Sequence, residues 1–293
     1  MPNLKEVRIR IESVKSTQQI TSAMKMVSAS KLRKAQMSIM ALRPYANKMN
    51  SILQNLRESL GDSIDNPFIS VRPVKKILIV GLASNRGLCG AFNSNVIKAI
   101  RNLLNEEYST EFANGQVSLM LAGKQLTDYY TRRKFPVIAR KDDLFEKMTY
   151  DKIAEFSKEL MHLYKSGAYD KIILVYNQFK NAAVQSLVVE QFLPLALPAA
   201  ASSNQKRPDY IFEPSQLEIL TEIIPLSLSL QVYKAFSDSY ASEQGARMTA
   251  MHQATDNAKE LLKQLSLMYN KARQTAITNE ILEIVSGAEA LKG

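Results

Sequence analysis

The sequence predicts an α/β domain set between two long helices that pair as an antiparallel coiled coil. Three observations predict it. A heptad lane of mostly apolar residues runs through each end of the chain, and the segment between them switches to short apolar runs of strand length separated by helical stretches. A chain of 293 residues, 46% hydrophobic and 23% charged, has the composition of a folded protein and the length for such an insert to carry its own core.

Read in steps of three and four, the first segment presents Leu4, Val7, Ile11, Val14, Gln18, Thr21, Lys25, Ser28, Leu32, Ala35, Ile39, Leu42, Ala46, Met49, Leu53 and Leu56, of which twelve are apolar. A seven-residue repeat held this long implies a left-handed coiled coil. The four polar exceptions are consecutive. Over that stretch the apolar residues move to Ile20, Met24 and Val27, so residues 18–28 are expected to serve a second contact besides the seam. The helix is expected over 1–57, about 85 Å long.

The middle, 73–213, reads as a Rossmann-like α/β domain with a mostly parallel sheet. KKILIVGL (75–82), VSLMLA (117–122) and KIILVYN (171–177) are apolar runs of buried parallel strands. Helical stretches lie near 91–107, 123–134 and 149–165. Residues 184–192 alternate apolar and polar, as an edge or antiparallel strand does, and the polar, small-residue loop 199–208 is expected to be mobile.

The last helix is expected over 215–287, about 110 Å long. Its lane is Ile223, Leu226, Leu230, Tyr233, Ser237, Tyr240, Gln244, Arg247, Met251, Ala254, Ala258, Leu261, Leu265, Met268, Ala272 and Thr275, again with twelve apolar members. Pro44 and Pro225 are each expected to interrupt a helix. Placed level with one another, they set paired residue numbers to sum to about 270 and put Lys25 and Thr21 opposite Arg247 and Gln244. In that register the tip, 271–287, extends past the N-terminus with no partner from its own chain. Ala272, Ala276, Ile277, Ile281, Leu282, Ile284 and Val285 make it apolar, so it is expected to be enclosed by other subunits.

Charge is unevenly placed. The net charge is +10, and residues 1–57 hold eleven Lys or Arg against two Asp or Glu, whereas 215–293 hold seven against nine. That asymmetry is a footprint for an acidic partner. One cysteine, Cys89, excludes an internal disulfide and a cysteine-based zinc site. The two histidines, His162 and His252, give no metal or triad framework. No run of about 18 apolar residues spans a bilayer, and no signal-peptide core opens the chain, so the basic, amphipathic first residues are read as mature structure in a reducing compartment. No cofactor or metal is expected.

One loop invites a catalytic reading. GLASNRGLCGAFN (81–93) follows the first strand and opens a helix, where phosphates bind in many α/β folds. It lacks the G-K-[ST] of a P-loop, and Gly81, Gly87 and Gly90 do not fit G-x-G-x-x-G. Arg86 is the one candidate phosphate ligand. A structural turn needing Gly87 and Gly90 for backbone reasons is the simpler expectation, and the adjacent Asp142 and Asp143 read as a helix-start or loop pair. Two functional alternatives stay open on the residues alone: a basic coiled-coil nucleic-acid binder, although residues 1–44 hold no aromatic to stack on bases, and a nucleotide-dependent enzyme built on the 81–90 loop.

The opening VRIRIESVKSTQQITSAMKMVSASKLRKAQ (7–36), the loop SNRGLCGAFN (84–93) and the ending that includes ITNEILEIVSGAEA (277–290) resemble the gamma subunits of rotary ATP synthases, in their bacterial form. Asn85 departs from the Asp common in that family. The resemblance implies a non-catalytic rotor shaft that couples ion-driven rotation of the membrane ring to conformational cycling of the catalytic beta subunits. It implies alpha and beta subunits around the tip, and the epsilon subunit and the c-subunit ring at the α/β foot. It also implies no nucleic-acid partner, and attachment to the cytoplasmic face of the inner membrane only through the complex. Carried over residue by residue, it assigns partner contacts to Met24, Lys25 and Arg247, near an acidic beta segment, and to Arg273, Gln274, Thr278 and Glu280 at the tip.

Overall fold

The computed structural model describes residues 4–60, 66–70, 72–146, 148–182, 184–195 and 216–290. The loop at 199–208 lies outside them. Helix α1 runs over Leu4–Leu60 and helix α6 over Gln216–Ala290. Between them the chain forms β1 (Ile77–Leu82), α2 (Phe92–Asn102, continued as a π-helical turn), α3 (Ser109–Ala113), β2 (Val117–Ala122), α4 (Lys124–Arg132), β3 (Val137–Arg140), a 3₁₀ turn at Asp142–Phe145, α5 (Tyr150–Lys165), β4 (Lys171–Phe179) and β5 (Gln185–Leu193).

The sheet order is β3-β2-β1-β4-β5. The first four strands are parallel, and β5 runs antiparallel to β4 at the edge. The four-residue β3 escapes the sequence pattern. Its side chains alternate half-buried and exposed, its apolar run is only the three residues Val137–Ala139, just after Pro136, and its pairing with β2 slips between Leu119 and Met120.

The structure divides into two compact units, one of Met1–Ala29 with Arg247–Gly293, the other of Ser30–Ala246. In the second unit β1, β2 and β4 are buried on both faces. Leu78, Val80 and Leu174 face a core shared with Phe156 and Leu160 of α5, Met49 and Leu53 of α1, and Leu220, Ile224 and Leu228 of α6. Ile79, Leu119 and Val175 face Val96 and Ile100 of α2 and Leu126 and Tyr130 of α4. Gly81 permits that second layer its closeness. A Cβ there would lie 2.6 Å from Ile100 Cδ1 and 2.7 Å from Leu126 Cδ2. From 228 to 245 every residue of α6 is buried or half-buried, a stretch whose small residues include Ser237, Ser239, Ala241, Ser242 and Gly245.

Both prolines lie inside continuous helices rather than interrupting them. A proline removes one backbone hydrogen bond, and the packing along α1 and α6 carries the helices through. With that landmark gone the register shifts. In the first unit the Thr21 and Thr255 hydroxyls hydrogen-bond each other at 2.8 Å, a pair whose numbers sum to 276 rather than 270.

The α1 lane holds throughout. Val7, Thr21, Ser28, Leu32, Ala35, Met49 and Leu53 are buried, and the lane's other described members through Ala46 are half-buried. The four polar residues therefore stay in the seam, while Ile20 and Val27 point outward at 57% and 56% exposure. The α6 lane turns by one position beyond Met251. Thr255, Leu262 and Tyr269 take inward places, while Leu261 and Met268 are exposed. Cysteines replacing Thr21 and Thr255 are expected to form a disulfide within one chain, detected as a reducible change in gel mobility. The Thr21–Thr249 pair, which a sum of 270 would favour, is expected not to link.

Candidate partner-binding surface

The loop after β1 is closed by its own side chains. Asn93 Oδ1 accepts from the Ser84 N–H at 3.0 Å and from the Ser84 hydroxyl at 2.9 Å, and Asn93 Nδ2 donates to Cys89 Sγ at 3.3 Å. Leu88 and Gly90 take left-handed backbone, φ 63° and 58°. Gly90 therefore has the backbone role expected of it. Gly87 does not, because the tight turn places Leu88 there instead.

Asn85 and Asp142 tie this loop to two others. Asn85 Nδ2 donates to the Asp142 carbonyl at 2.9 Å, and its Oδ1 accepts from the Lys124 N–H at 2.9 Å. The Asp142 carboxylate accepts from the Gly123 N–H at 3.1 Å and from the Thr127 hydroxyl at 2.8 Å. An Asp at position 85 could not donate to a carbonyl when ionised, which gives Asn85 a structural reason in this chain. The turns that follow β1, β2 and β3, where a nucleotide enzyme of this fold would bind phosphate, are thus bonded to one another. Among the described residues no group of three or more His, Cys, Asp or Glu could hold a metal ion, and no helix is long and apolar enough to cross a membrane.

The first unit presents side chains outward. Beside the Thr21–Thr255 layer lies a cleft of about 380 Å³, lined among others by Gln18, Lys25, Met26, His252, Asp256 and Lys259. Asp256 sits 3.2 Å from His252 Nδ1 and 3.3 Å from Lys259 Nζ. These exposed pairs contribute little stability, so their groups are available to exchange for a partner's. Spacing of three and four along α6 places His252, Asp256 and Lys259 on one face, a signal present in the sequence but off the apolar lane. Met24 and Lys25 are half-buried at this level, and Arg247 is buried at 8% exposure.

Further along α6 the helix is bare. Ala272 and Thr275 are half-buried, and every residue from 276 to 290 is exposed. Ile277, Ile281, Leu282, Ile284 and Val285 show 48% to 67% of their surface. Arg273 and Gln274 stand at the start of this stretch, both exposed. Thr278 returns its hydroxyl to the Gln274 carbonyl at 2.9 Å, and Glu280 is open. Helical spacing aligns Arg273 with Ile277 and Glu280, and Gln274 with Thr278 and Ile281. The structure therefore groups the candidate residues into two patches about 40 Å apart along α6 rather than one site.

An α/β domain whose loops are bonded to one another and a long apolar helix exposed from 276 to 290 define a protein that works by contact with other chains. The ATP synthase family profile matches residues 3–291. The gamma chain of Flavobacterium johnsoniae is 55% identical and that of Cytophaga hutchinsonii 51%, over 100% and 99% of both chains. Chlorobium limicola supplies a gamma chain 45% identical over the full length of both. The central stalk of the Tetrahymena thermophila mitochondrial ATP synthase superimposes with a TM-score of 0.59 at 25% identity, over 80% of this chain and 99% of that one. A chain of the Euglena gracilis mitochondrial ATP synthase shares the fold with a TM-score of 0.69 at 21% identity, over 98% and 94%. The chain belongs to the ATP synthase gamma-chain family, and it is a non-catalytic subunit; the nucleic-acid and nucleotide-enzyme alternatives give way.

Replacing Asp142 by Ala leaves the Gly123 N–H and the Thr127 hydroxyl without this acceptor. It is expected to destabilise the chain by about 1–3 kcal/mol in urea unfolding.

Proposed function

We infer that this chain is the central rotor shaft of a bacterial ATP synthase, coupling ion-driven ring rotation to the conformational cycle of the catalytic beta subunits. The bare apolar helix from 276 to 290 carries the reading, because such a surface in water requires enclosure. In this reading alpha and beta subunits surround that stretch. The epsilon subunit and the c-subunit ring hold the α/β domain, and the complex attaches the chain to the cytoplasmic face of the inner membrane.

The mechanism follows from asymmetry. The shaft has no three-fold symmetry, so three copies of one partner meet three different faces. A face that binds one partner conformation more tightly than another shifts that partner's equilibrium by the difference in binding free energy. Rotation presents each face to the next partner in turn. The membrane potential supplies about 2.3 kcal/mol per charge per 100 mV to drive it. The isoleucine, leucine and valine side chains at the tip interact by dispersion, which has no preferred direction and so leaves rotation unhindered.

Directional contacts then mark particular angles. Arg273 and Gln274 are suited to hydrogen-bond a beta-subunit loop in one rotational state, with Thr278 and Glu280 beside them. Met24 and Lys25, with the cationic groups of the neighbouring cleft, suit an acidic beta segment. Arg247 stands near the same level, buried within the seam.

Changing Arg273 and Gln274 together to Ala is expected to leave helix content and complex assembly intact and to lower steady-state ATP hydrolysis several-fold. Circular dichroism, gel filtration and a coupled ATPase assay check it. Full turnover by an assembled variant would reduce these two residues to bearing surface. Co-purification of the chain with a membrane-bound ATPase tests the broader reading.

A further inference from the structure

Glu190 is out of place by pattern. It takes an inward position on β5, on the same face as Val188 and Phe192, while Leu187, Val189 and Gln191 point away. A carboxylate on a core face requires donors. Glu190 has two, and they come from different elements. The Tyr176 hydroxyl of β4 donates to Oε2 at 2.8 Å, and Gln231 Nε2 of α6 donates to Oε1 at 2.7 Å. Gln231 also approaches the Gln191 carbonyl at 3.4 Å. Burial first, and then the charge of Glu190, push the Tyr176 phenol well above its ordinary range, so it stays a donor.

A second grip lies further along the same helix. Gly245 of α6 runs against the turn that joins β4 to β5, where a Cβ would stand 3.3 Å from the Ala182 carbonyl oxygen. The β4–β5 hairpin thus holds α6 at two points about 21 Å apart along the helix axis. The inward residues between them include Ala235 and Phe236, in the apolar core. Apolar packing fixes distance but resists rolling and sliding weakly, because dispersion is non-directional. Hydrogen bonds to a carboxylate have preferred lengths and angles.

We propose that Glu190 is a torque-transmitting positioning residue: its carboxylate, held by Tyr176 and bonded to Gln231, locks α6 against the sheet domain so that the two turn as one body. The proposal rests on the rotor reading. It assigns the sheet domain a mechanical role at a named joint, where rotation delivered to the sheet becomes rotation of the helix.

The test uses the assembled complex in inverted membrane vesicles and compares ATP hydrolysis with ATP-driven proton uptake, read by quenching of an acridine dye. A parent complex that hydrolyses ATP but takes up no protons would overturn the rotor reading itself. Given a pumping parent, Gln231→Glu sets two carboxylates against each other. It is expected to keep hydrolysis within about twofold while protons taken up per ATP fall at least threefold. The exchange Glu190→Gln with Gln231→Glu restores one amide and one carboxylate, leaves the Tyr176 hydroxyl an acceptor, and is expected to return the ratio to at least two-thirds of the parent value. An unchanged ratio in Gln231→Glu overturns the joint. So does an exchange variant that assembles and hydrolyses ATP but stays as uncoupled as the single change. If Gln231→Glu fails to assemble, Gln231→Leu, which removes the bond without adding charge, replaces it with the same two expected outcomes.

Discussion

One helix, α6, has to be three things along its length, and the rest of the structure follows from how that is arranged. Residues 228–245 are surrounded, residues 251–275 bury one stripe, and residues 276–290 are all exposed. A helix can do this because its backbone hydrogen bonds close within itself. Side chains are then free to meet a core, a single partner helix or another protein without any change of backbone. A strand could not, since each stretch needs a neighbour for its amides.

The sheet domain meets the first of these demands. Two-faced burial of β1, β2 and β4 gives it rigidity, and one face is completed by α1, α5 and α6 together. The loop that resembles a phosphate site in outline serves the same end. Asn93 closes the loop on itself, and Asn85 and Asp142 bond three turns to one another. An α/β fold offers a ligand site where its loops diverge; here they converge, and the fold serves as a mount.

The seam meets the second demand with polar as well as apolar contacts. Thr21, Ser28 and Thr255 are buried in it. Apolar lanes alone tolerate slippage by a heptad, whereas a buried hydroxyl pair has its partner in one register only. The same layer pushes Ile20 and Val27 outward beside Lys25. A change of seam chemistry is thereby also a change of outer surface, which gives the shaft unlike faces.

Periodicity in the sequence determined the two long helices, the buried parallel strands and the antiparallel edge, because burial on one face or two writes a period that needs no knowledge of the partner. The exposed stretch 276–290 was legible only in outline, because the expected bounds of 271–287 rested on a register sum of 270. The family was legible in the motifs at 7–36, 84–93 and 277–290. Register was not, because Pro44 and Pro225 mark a level only if they break their helices, and packing carried both helices through. β3 was hidden because an apolar run of three residues, Val137–Ala139, is too short to set a period. The Asn85–Asp142 tie between loops and the Glu190 joint were decided by tertiary structure alone. Each joins residues from separate elements, and a hydrogen bond depends on a distance and an angle that no spacing along the chain records.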